Sequence, residues 1–365
     1  VTQPAALSDS AALGAQMFVD ASLSASGKLS CASCHVPGRA HAPADGLAVQ
    51  LGGPTGSTPG QRATPSLRYQ SFTPQFSFGK DGLPVGGYDA DGRVSTLAEQ
   101  AANPLLAAHE MANVTKAALV DRLRHAAYAE RFRSVFGTAI FDDPEQAFER
   151  ATFALQQYQR QDAVLFRFDA KFDKVQQGQA AFSAAEQRGL ALFKDPAKGN
   201  CVACHSATPL LDGTPALFTS FGFYALGVPR NAALAAPGTF DLGLCGPDRT
   251  DLAARADLCG AFKVPSLRNV ATRAVFFHNG VLTSLRDAVR FHVQRDTDPA
   301  LWYPAGADGR PRAYNDLPAQ YHANVVRTAP FDRAPGAAPA LTAAEIDDIV
   351  QFLHTLNDAD QPQPQ

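Results

Sequence analysis

The sequence predicts a mainly α-helical fold with many loops, built from two halves of related construction. Three observations support this prediction. Apolar residues recur at helical spacing behind capping boxes, which are Ser183-Ala184-Ala185-Glu186 and Thr342-Ala343-Ala344-Glu345. No strong series of residues alternates between apolar and polar with the period of a β-strand. The same short motif, Cys-x-x-Cys-His, occurs once in each half of the chain.

Each copy of the motif has the pattern of a c-type haem attachment site. Two cysteine thiols at this spacing can add to the vinyl groups of one porphyrin, and the adjacent histidine can bind the iron. Redox thiols or zinc are the alternatives, but no further Cys-x-x-Cys is present to complete a zinc site. We therefore expect two covalently bound c-type haems, held by Cys31, Cys34, His35, Cys201, Cys204 and His205.

The helices around the motifs resemble those of a class I cytochrome c unit. A small residue, Gly14 or Gly189, lies four positions before a phenylalanine in the helix that precedes each motif. In a class I unit this small residue lets a later helix cross closely. Candidate crossing helices are residues 143–160 and the helix that follows Thr342. We expect two such domains, residues 1–165 and 166–365, linked through residues 161–178.

Composition argues against two classes of partner. Charged residues make up 18% of the 365, the net charge is −3, and no lysine–arginine run of the kind that binds nucleic acid is present. The chain contains no stretch of about 18 apolar residues, so the sequence predicts no membrane span. Residues 1–10 are polar and contain no signal peptide. Because c-type haem is attached after export in most bacteria, we expect a processed periplasmic protein.

Two cysteines remain outside the motifs. Cys245 and Cys259 lie 14 positions apart in a loop rich in glycine, aspartate and arginine. In an oxidising periplasm we expect them to form a disulfide, and two free thiols are the alternative.

Further segments resemble the bacterial di-haem cytochrome c peroxidases, a superfamily that includes the MauG-type enzymes that mature a tryptophan-derived quinone cofactor. The segments are residues 262–269, with Val-Pro-Ser-Leu-Arg-Asn, residues 276–280, Phe-Phe-His-Asn-Gly, and the stretch from Asp91 to Met111. The resemblance extends over nearly the whole chain. It implies that the N-terminal haem reacts with peroxide and that the C-terminal haem transfers electrons or stores oxidising equivalents.

The resemblance assigns two catalytic residues on the peroxide side of the first haem. Gln100 matches the family's distal glutamine, and Glu110 matches its catalytic glutamate. A carboxylate above the iron can take the proton from the near oxygen of bound peroxide and return it to the leaving oxygen. Without the resemblance, Glu110 would be interpreted as an ordinary exposed carboxylate. We expect the adjacent His109 to be a surface or loop histidine.

The sixth ligand of the second haem departs from the family pattern. Family members place a methionine, or in MauG-type enzymes a tyrosine, about fourteen residues after the histidine of the Phe-His-Asp-Gly motif. Counting 14 residues from His278 gives His292. We therefore expect His205/His292 ligation, with His278 as the competing candidate. A second imidazole lowers the haem potential relative to methionine, so we expect peroxide to produce a high-valent state shared by both haems.

Two other departures concern the first iron and the route between the haems. The loop at residues 56–62 contains no histidine that could block the first iron, so this haem should be five-coordinate or water-bound. Ala90 occupies the position where the family places a tryptophan between its haems. The only tryptophan is Trp302, and Tyr88 is either a substitute conduit or an ordinary loop residue.

The resemblance also implies a calcium ion, which family members bind largely through backbone carbonyls. The matching positions, near Tyr69 and around Arg273 and Val275, are altered in this chain. Calcium is therefore left open.

The expected function is a periplasmic di-haem peroxidase that reduces hydrogen peroxide to water. Its electrons would come from a small donor protein of the cytochrome c or cupredoxin type. The alternative is a MauG-like enzyme that oxidatively modifies residues of a partner protein. A pure electron carrier is disfavoured, because the resemblance places Gln100 and Glu110 beside an open coordination site.

Overall fold

The structure, a computed structural model, describes residues 6–234 and 238–361. Its helices within these ranges are α1 Asp9–Val19, α2 Cys31–Cys34, α3 Leu97–Leu106, α4 Lys116–Arg124, α5 Ala129–Phe136, α6 Pro144–Gln161, α7 Lys171–Gln176, α8 Ala184–Lys194, α9 Leu285–Gln294 and α10 Ala343–His354. Three antiparallel pairs of short strands join β1 Leu51–Gly52 to β2 Thr58–Pro59, β3 Ser77–Phe78 to β4 Pro84–Val85, and β5 Phe223–Tyr224 to β6 Phe262–Lys263. The mainly helical, loop-rich prediction is confirmed for the described residues. No helix in these ranges is both long and apolar enough to cross a membrane.

The chain forms two compact units. The first contains residues up to Asp45, Val49–Thr73 and Val94–Arg167. The second contains Gly46–Ala48, Pro74–Arg93 and the residues from Phe168 onwards. The division at 167/168 is close to the expected boundary at 165/166, whereas residues 74–93, expected in the first domain, lie in the second unit.

In the first unit, α1 and α6 cross in direct backbone contact. A Cβ atom added to Gly14 would lie 2.0 Å from the carbonyl oxygen of Ala154 and 2.9 Å from the Cβ of Tyr158. The predicted crossing helix at 143–160 is found at Pro144–Gln161, and the side chain of Asp143 accepts hydrogen bonds from its first turn. The glycine therefore permits this approach, as predicted.

The second unit repeats the same crossing between α8 and α10. A Cβ atom on Gly189 would lie 2.0 Å from the carbonyl oxygen of Asp348 and 2.9 Å from the Cβ of Phe352. Both predicted capping boxes, at Ser183 and Thr342, form at the starts of these helices. The close agreement of the two crossings supports the prediction that the halves are divergent copies of one unit.

The predicted linker at 161–178 is partly helical, because it contains α7. Asp173 in α7 binds the guanidinium group of Arg268 through two hydrogen bonds of 2.8 Å. Both side chains are almost completely buried. Removing either Asp173 or Arg268 would leave the charge of the other buried and uncompensated. This ion pair therefore holds α7 firmly in the second unit.

A disulfide joins Cys245 and Cys259, which confirms that prediction. Arg249 lies in the loop that this disulfide closes. Its guanidinium group donates hydrogen bonds to the carbonyl oxygens of Asp91 and Gly92 at 3.0 and 3.1 Å. These bonds bind residues 74–93 to the second unit, a long-range pairing that the sequence pattern did not reveal.

Replacing Gly14 with alanine should destabilise the first unit, because the added methyl group has no room between α1 and α6. We expect a loss of about 1–3 kcal/mol in the free energy of unfolding, the usual cost of overpacking. Urea unfolding of the holoprotein measures this change. Gly38→Ala is the matched control, since a Cβ atom there meets no atom within 4 Å. Equal midpoints for the two variants would contradict the crossing argument.

Candidate functional site

The first Cys-x-x-Cys-His motif begins on the short helix α2. Both Cys31 and Cys34 are partly buried, and neither forms a disulfide. Burial raises the pKa of Cys31 to about 12 and that of Cys34 to about 11. The negative charge of Glu110 adds to this effect at both thiols, so the carboxyl group of Glu110 lies near the motif.

The imidazole ring of His35 is oriented by backbone carbonyls. Its Nδ1 atom lies 3.0 Å from the carbonyl oxygen of Pro65 and 3.3 Å from that of His41. Because a carbonyl oxygen only accepts, these contacts assign the proton to Nδ1 and make Nε2 the nitrogen suited to bind iron.

The second motif is built in the same way. The Nδ1 atom of His205 lies 3.0 Å from the carbonyl oxygen of Phe218, and the backbone of Pro265 also hydrogen-bonds the ring. Burial lowers the pKa of His205 to about 4, so the imidazole is neutral at physiological pH. A neutral imidazole with its proton on Nδ1 is the form that coordinates a metal through Nε2.

His292, the predicted second ligand, lies on α9 close to His205. Its Nδ1 atom is 2.7 Å from the carbonyl oxygen of Ala288, one turn earlier in the helix. Burial lowers the pKa of His292, and its ring contributes to the lowered pKa of His205, so the two imidazoles are near neighbours. The structure thus brings together the two histidines that were predicted to bind one iron.

His278, the competing candidate, is held by other side chains. Its ring stacks on Phe262 with centroids 3.8 Å apart, and its Nε2 atom lies 3.5 Å from Asp316. These contacts fit a structural role better than a ligand role. The donor sets of both units therefore fit haem, with two thiols and a neutral imidazole in each and a second imidazole in the second unit.

Gln100 and Glu110 lie on one helix and the turn that follows it. Gln100 is half-buried in the first part of α3, and Glu110 lies four residues after the end of this helix. The side chain of Glu110 is 46% exposed, and its Oε1 atom lies 3.6 Å from Nε2 of His109. A carboxylate is a group that can accept and release protons, and this one lies near the first motif.

The backbone of this turn is fixed by a pair of glycines in the β1–β2 hairpin. The amide of Gly53 donates a 2.8 Å hydrogen bond to the carbonyl oxygen of Glu110. A Cβ atom on Gly52 would lie 2.3 Å from the carbonyl oxygen of His109 and 2.8 Å from the Cα of Glu110. We call this contact the glycine clamp. Sequence reasoning missed it, because the hairpin and the turn are about 57 residues apart in the chain.

Comparison with known proteins identifies the family of this chain. A family model described as di-haem cytochrome c peroxidase matches residues 8–181. The chain is 36% identical to the methylamine utilization protein MauG of Paracoccus denitrificans, over 95% of this chain and 88% of that protein. This chain belongs to the di-haem cytochrome c peroxidase family. Its members are oxidoreductases, and the family implies two haems.

Other members of the family give the same result. The cytochrome c551 peroxidase of Nitrosomonas europaea is 30% identical over 77% of this chain and 72% of its own length. The crystal structure of the diheme peroxidase BthA from Burkholderia thailandensis superposes with a TM-score of 0.88 at 39% identity. This match covers 99% of our chain and 88% of that one.

This chain also contains a second copy of the Pro-Ser-Leu-Arg motif, which the sequence analysis identified only at residues 265–268. Residues 65–68 repeat the Pro-Ser-Leu-Arg of residues 265–268. The hydroxyl of Ser66 donates to the carbonyl oxygen of Ala40 at 2.5 Å, and that of Ser266 donates to Leu217 at 2.6 Å. A direct alignment of the two halves would have revealed this repeat, which supplies one carbonyl partner to each motif histidine.

The same repeat explains His41, which is fully buried. His41 and Phe218 occupy equivalent positions, with φ of 54° and 55°. The ring of His41 packs 5.8 Å from that of Phe18, as Phe218 packs 6.2 Å from Phe193. His41 therefore takes the place of a core aromatic residue.

The region around Ala90 carries a buried cation. The backbone amide of Lys263 donates to the carbonyl oxygen of Ala90 at 2.8 Å, and its Nζ atom lies 5.8 Å from the ring centroid of the buried Tyr88. Burial lowers the pKa of Lys263 to about 8.

Trp302 packs edge-on against Phe291, with ring centroids 5.4 Å apart, next to His292. Tyr88 stays a candidate for the electron route between the two haems.

Calcium stays open. Within residues 6–234 and 238–361, no three histidine, cysteine, aspartate or glutamate side chains converge as a metal site. At the altered positions around Arg273 and Val275, Nε of Arg273 donates a 3.3 Å hydrogen bond to the carbonyl oxygen of Val275.

Replacing Gly52 with alanine should displace the turn that carries Glu110, because the new Cβ atom would overlap its backbone. Displacements of about 1 Å at a catalytic group cost up to ~100-fold in rate, so we expect peroxide turnover to fall at least about tenfold. Steady-state peroxide consumption measures this change. Gly46→Ala is the control, since a Cβ atom there meets nothing within 4 Å. Unchanged turnover in Gly52→Ala would show that the glycine clamp is unimportant.

Proposed function

We propose that this protein is a periplasmic di-haem peroxidase that reduces hydrogen peroxide to water with electrons from a small donor protein, of the cytochrome c or cupredoxin type. The observation that carries the proposal is the position of Glu110, whose charge acts on both thiols of the first motif. A proton-transferring carboxylate beside one haem site, with a two-histidine site in the other unit, suits a peroxidase better than a simple electron carrier.

The haems would be attached covalently through thioether bonds to Cys31 and Cys34 in the first unit and to Cys201 and Cys204 in the second. His35 would bind the first iron, and the pair His205 and His292 would bind the second. Each haem would supply an iron that exchanges electrons, and the first iron would also bind peroxide. The Nδ1 hydrogen bonds of the three histidines support this assignment.

The side chains of the first unit would handle the protons of the substrate. The carboxylate of Glu110 would accept a proton from one peroxide oxygen and return it to the other, which then leaves as water. The amide group of Gln100 would donate a hydrogen bond that orients the peroxide. The glycine clamp would keep the Glu110 backbone in place during this transfer.

Periplasmic location is part of the proposal. The disulfide between Cys245 and Cys259 is typical of an oxidising compartment. Attachment of c-type haem after export points to the same place. The 18% content of charged residues and the absence of a basic run argue against a nucleic-acid partner.

A MauG-like reaction, the oxidation of residues in a partner protein, is the second candidate. The 36% identity to a methylamine utilization protein MauG, over 95% of this chain, favours it. The loop at residues 56–62 also contains no histidine that could block the first iron. The two candidates differ in the source of electrons, which is a small redox donor in the first and a protein substrate in the second.

Replacing Glu110 with glutamine should lower reductant-driven peroxide consumption by about 100-fold or more, because the amide cannot accept the proton. The measurement is peroxide consumption by the holoprotein supplied with a reduced small cytochrome. Glu149→Gln, an exposed carboxylate on α6, is the matched control and should keep full activity. Full turnover in Glu110→Gln would refute the assigned role. A wild type that consumes about one equivalent of peroxide and then stops would favour the MauG-like candidate.

Replacing His292 with methionine should raise the reduction potential of the second haem, because methionine ligation favours ferrous iron. The shift should be a substantial part of the ~0.8 V range that axial ligands provide. Spectroelectrochemical titration of the holoprotein measures it. His278→Gln should leave that potential nearly unchanged. The opposite pattern would exchange the roles of the two histidines.

A further inference from the structure

We propose that His109 relays protons from bulk water to Glu110, so that the two adjacent side chains form one proton pathway. This inference rests on the peroxidase function proposed above. It differs from the sequence prediction, which treated His109 as an ordinary surface or loop histidine.

The geometry places the two groups within reach of each other and of solvent. Nε2 of His109 lies 3.6 Å from Oε1 of Glu110. This distance is slightly longer than a direct hydrogen bond, and a small side-chain rotation or one bridging water closes it. The side chain of His109 is 26% exposed. A proton can therefore enter at His109 and pass to Glu110.

The backbone of both residues is fixed, which keeps the pair in register. The glycine clamp contacts the carbonyl oxygen of His109 through Gly52 and binds the carbonyl oxygen of Glu110 through Gly53. The amide of Glu110 also donates to the carbonyl oxygen of Ala107 at 2.9 Å. The same restraint that holds the Glu110 backbone therefore also holds that of His109.

The charged surroundings suit a proton carrier. The hairpin packed on this turn has no ionisable side chain between Leu51 and Gly60. On α3 the only charged residue is Glu99, whose carboxylate is bound to the amides of Ser95 and Thr96 at the start of the helix. The carboxylates of Glu110 and Asp45 both act on the thiol of Cys34. A carboxylate beside an imidazole favours the protonated ring, the form that delivers a proton.

The second stage of the reaction consumes protons from solvent. Reduction of one hydrogen peroxide by two electrons and two protons gives two water molecules. Cleavage of the O–O bond releases the first water with both protons of the peroxide itself: one is already on the leaving oxygen, and Glu110 carries the other to it. The second water takes two protons from solvent and two electrons from the donor protein. His109 serves this second stage.

The test compares His109→Gln with the wild-type holoprotein at saturating reduced donor. We expect kcat at neutral pH to fall about tenfold, with little change in the KM for peroxide, and the solvent deuterium isotope effect on kcat to increase. The inflection of kcat near the ordinary histidine pKa, about 6.5, should disappear. The rate at which one equivalent of peroxide changes the haem absorbance should stay unchanged, because that step uses the protons of the peroxide.

Two further variants make the result specific. His125→Gln removes an exposed histidine in the same unit, at the end of α4, and should leave all of these quantities unchanged. His109→Lys restores a titratable group with a pKa of about 10.4, so the plateau of kcat should extend to higher pH. A His109→Gln enzyme with the wild-type pH profile and isotope effect would overturn the relay while leaving the peroxidase function intact. A wild type without reductant-driven turnover would overturn the function itself.

Discussion

The close crossing of two helices is the constraint on which each unit depends. At Gly14 and at Gly189 the backbone of one helix touches a carbonyl of the other so closely that an added methyl carbon would lie 2.0 Å away. An aromatic pair packs beside each crossing, with ring centroids 5.3 Å apart in both units. The pairs are Phe18 with Tyr158 and Phe193 with Phe352. Because this contact leaves no room for a side chain, it fixes the frame to which each haem-binding motif is attached.

On this frame the two motif histidines are held in one chemical form. Each imidazole has its Nδ1 atom directed at backbone carbonyls, and the carbonyls come from equivalent places in the two halves. Backbone carbonyls cannot change protonation state, so the tautomer of His35 and of His205 is set by the fold and not by neighbouring side chains. The repeated Pro-Ser-Leu-Arg segments supply one of these carbonyls in each half, that of Pro65 or Pro265.

The two units differ in what they add to the shared frame. The second adds α9, which brings His292 beside His205. The first adds α3 and the turn held by the glycine clamp, which bring the carboxylate of Glu110 near the motif thiols. In the proposed function, the second imidazole would bind the iron that transfers electrons, whereas the carboxylate would transfer protons. The proposed division of labour between the units follows from this difference.

The sequence by itself determined the helical class, the two motifs, the glycine crossings and the capping boxes, because these depend on short spacings along the chain. It also led to His292 and Glu110 by their distance from family motifs. Only the tertiary structure decided that residues 74–93 join the second unit, that His41 is a core residue, and that the glycine clamp holds the turn of His109 and Glu110. These facts depend on contacts between residues far apart in the chain, which no local pattern encodes.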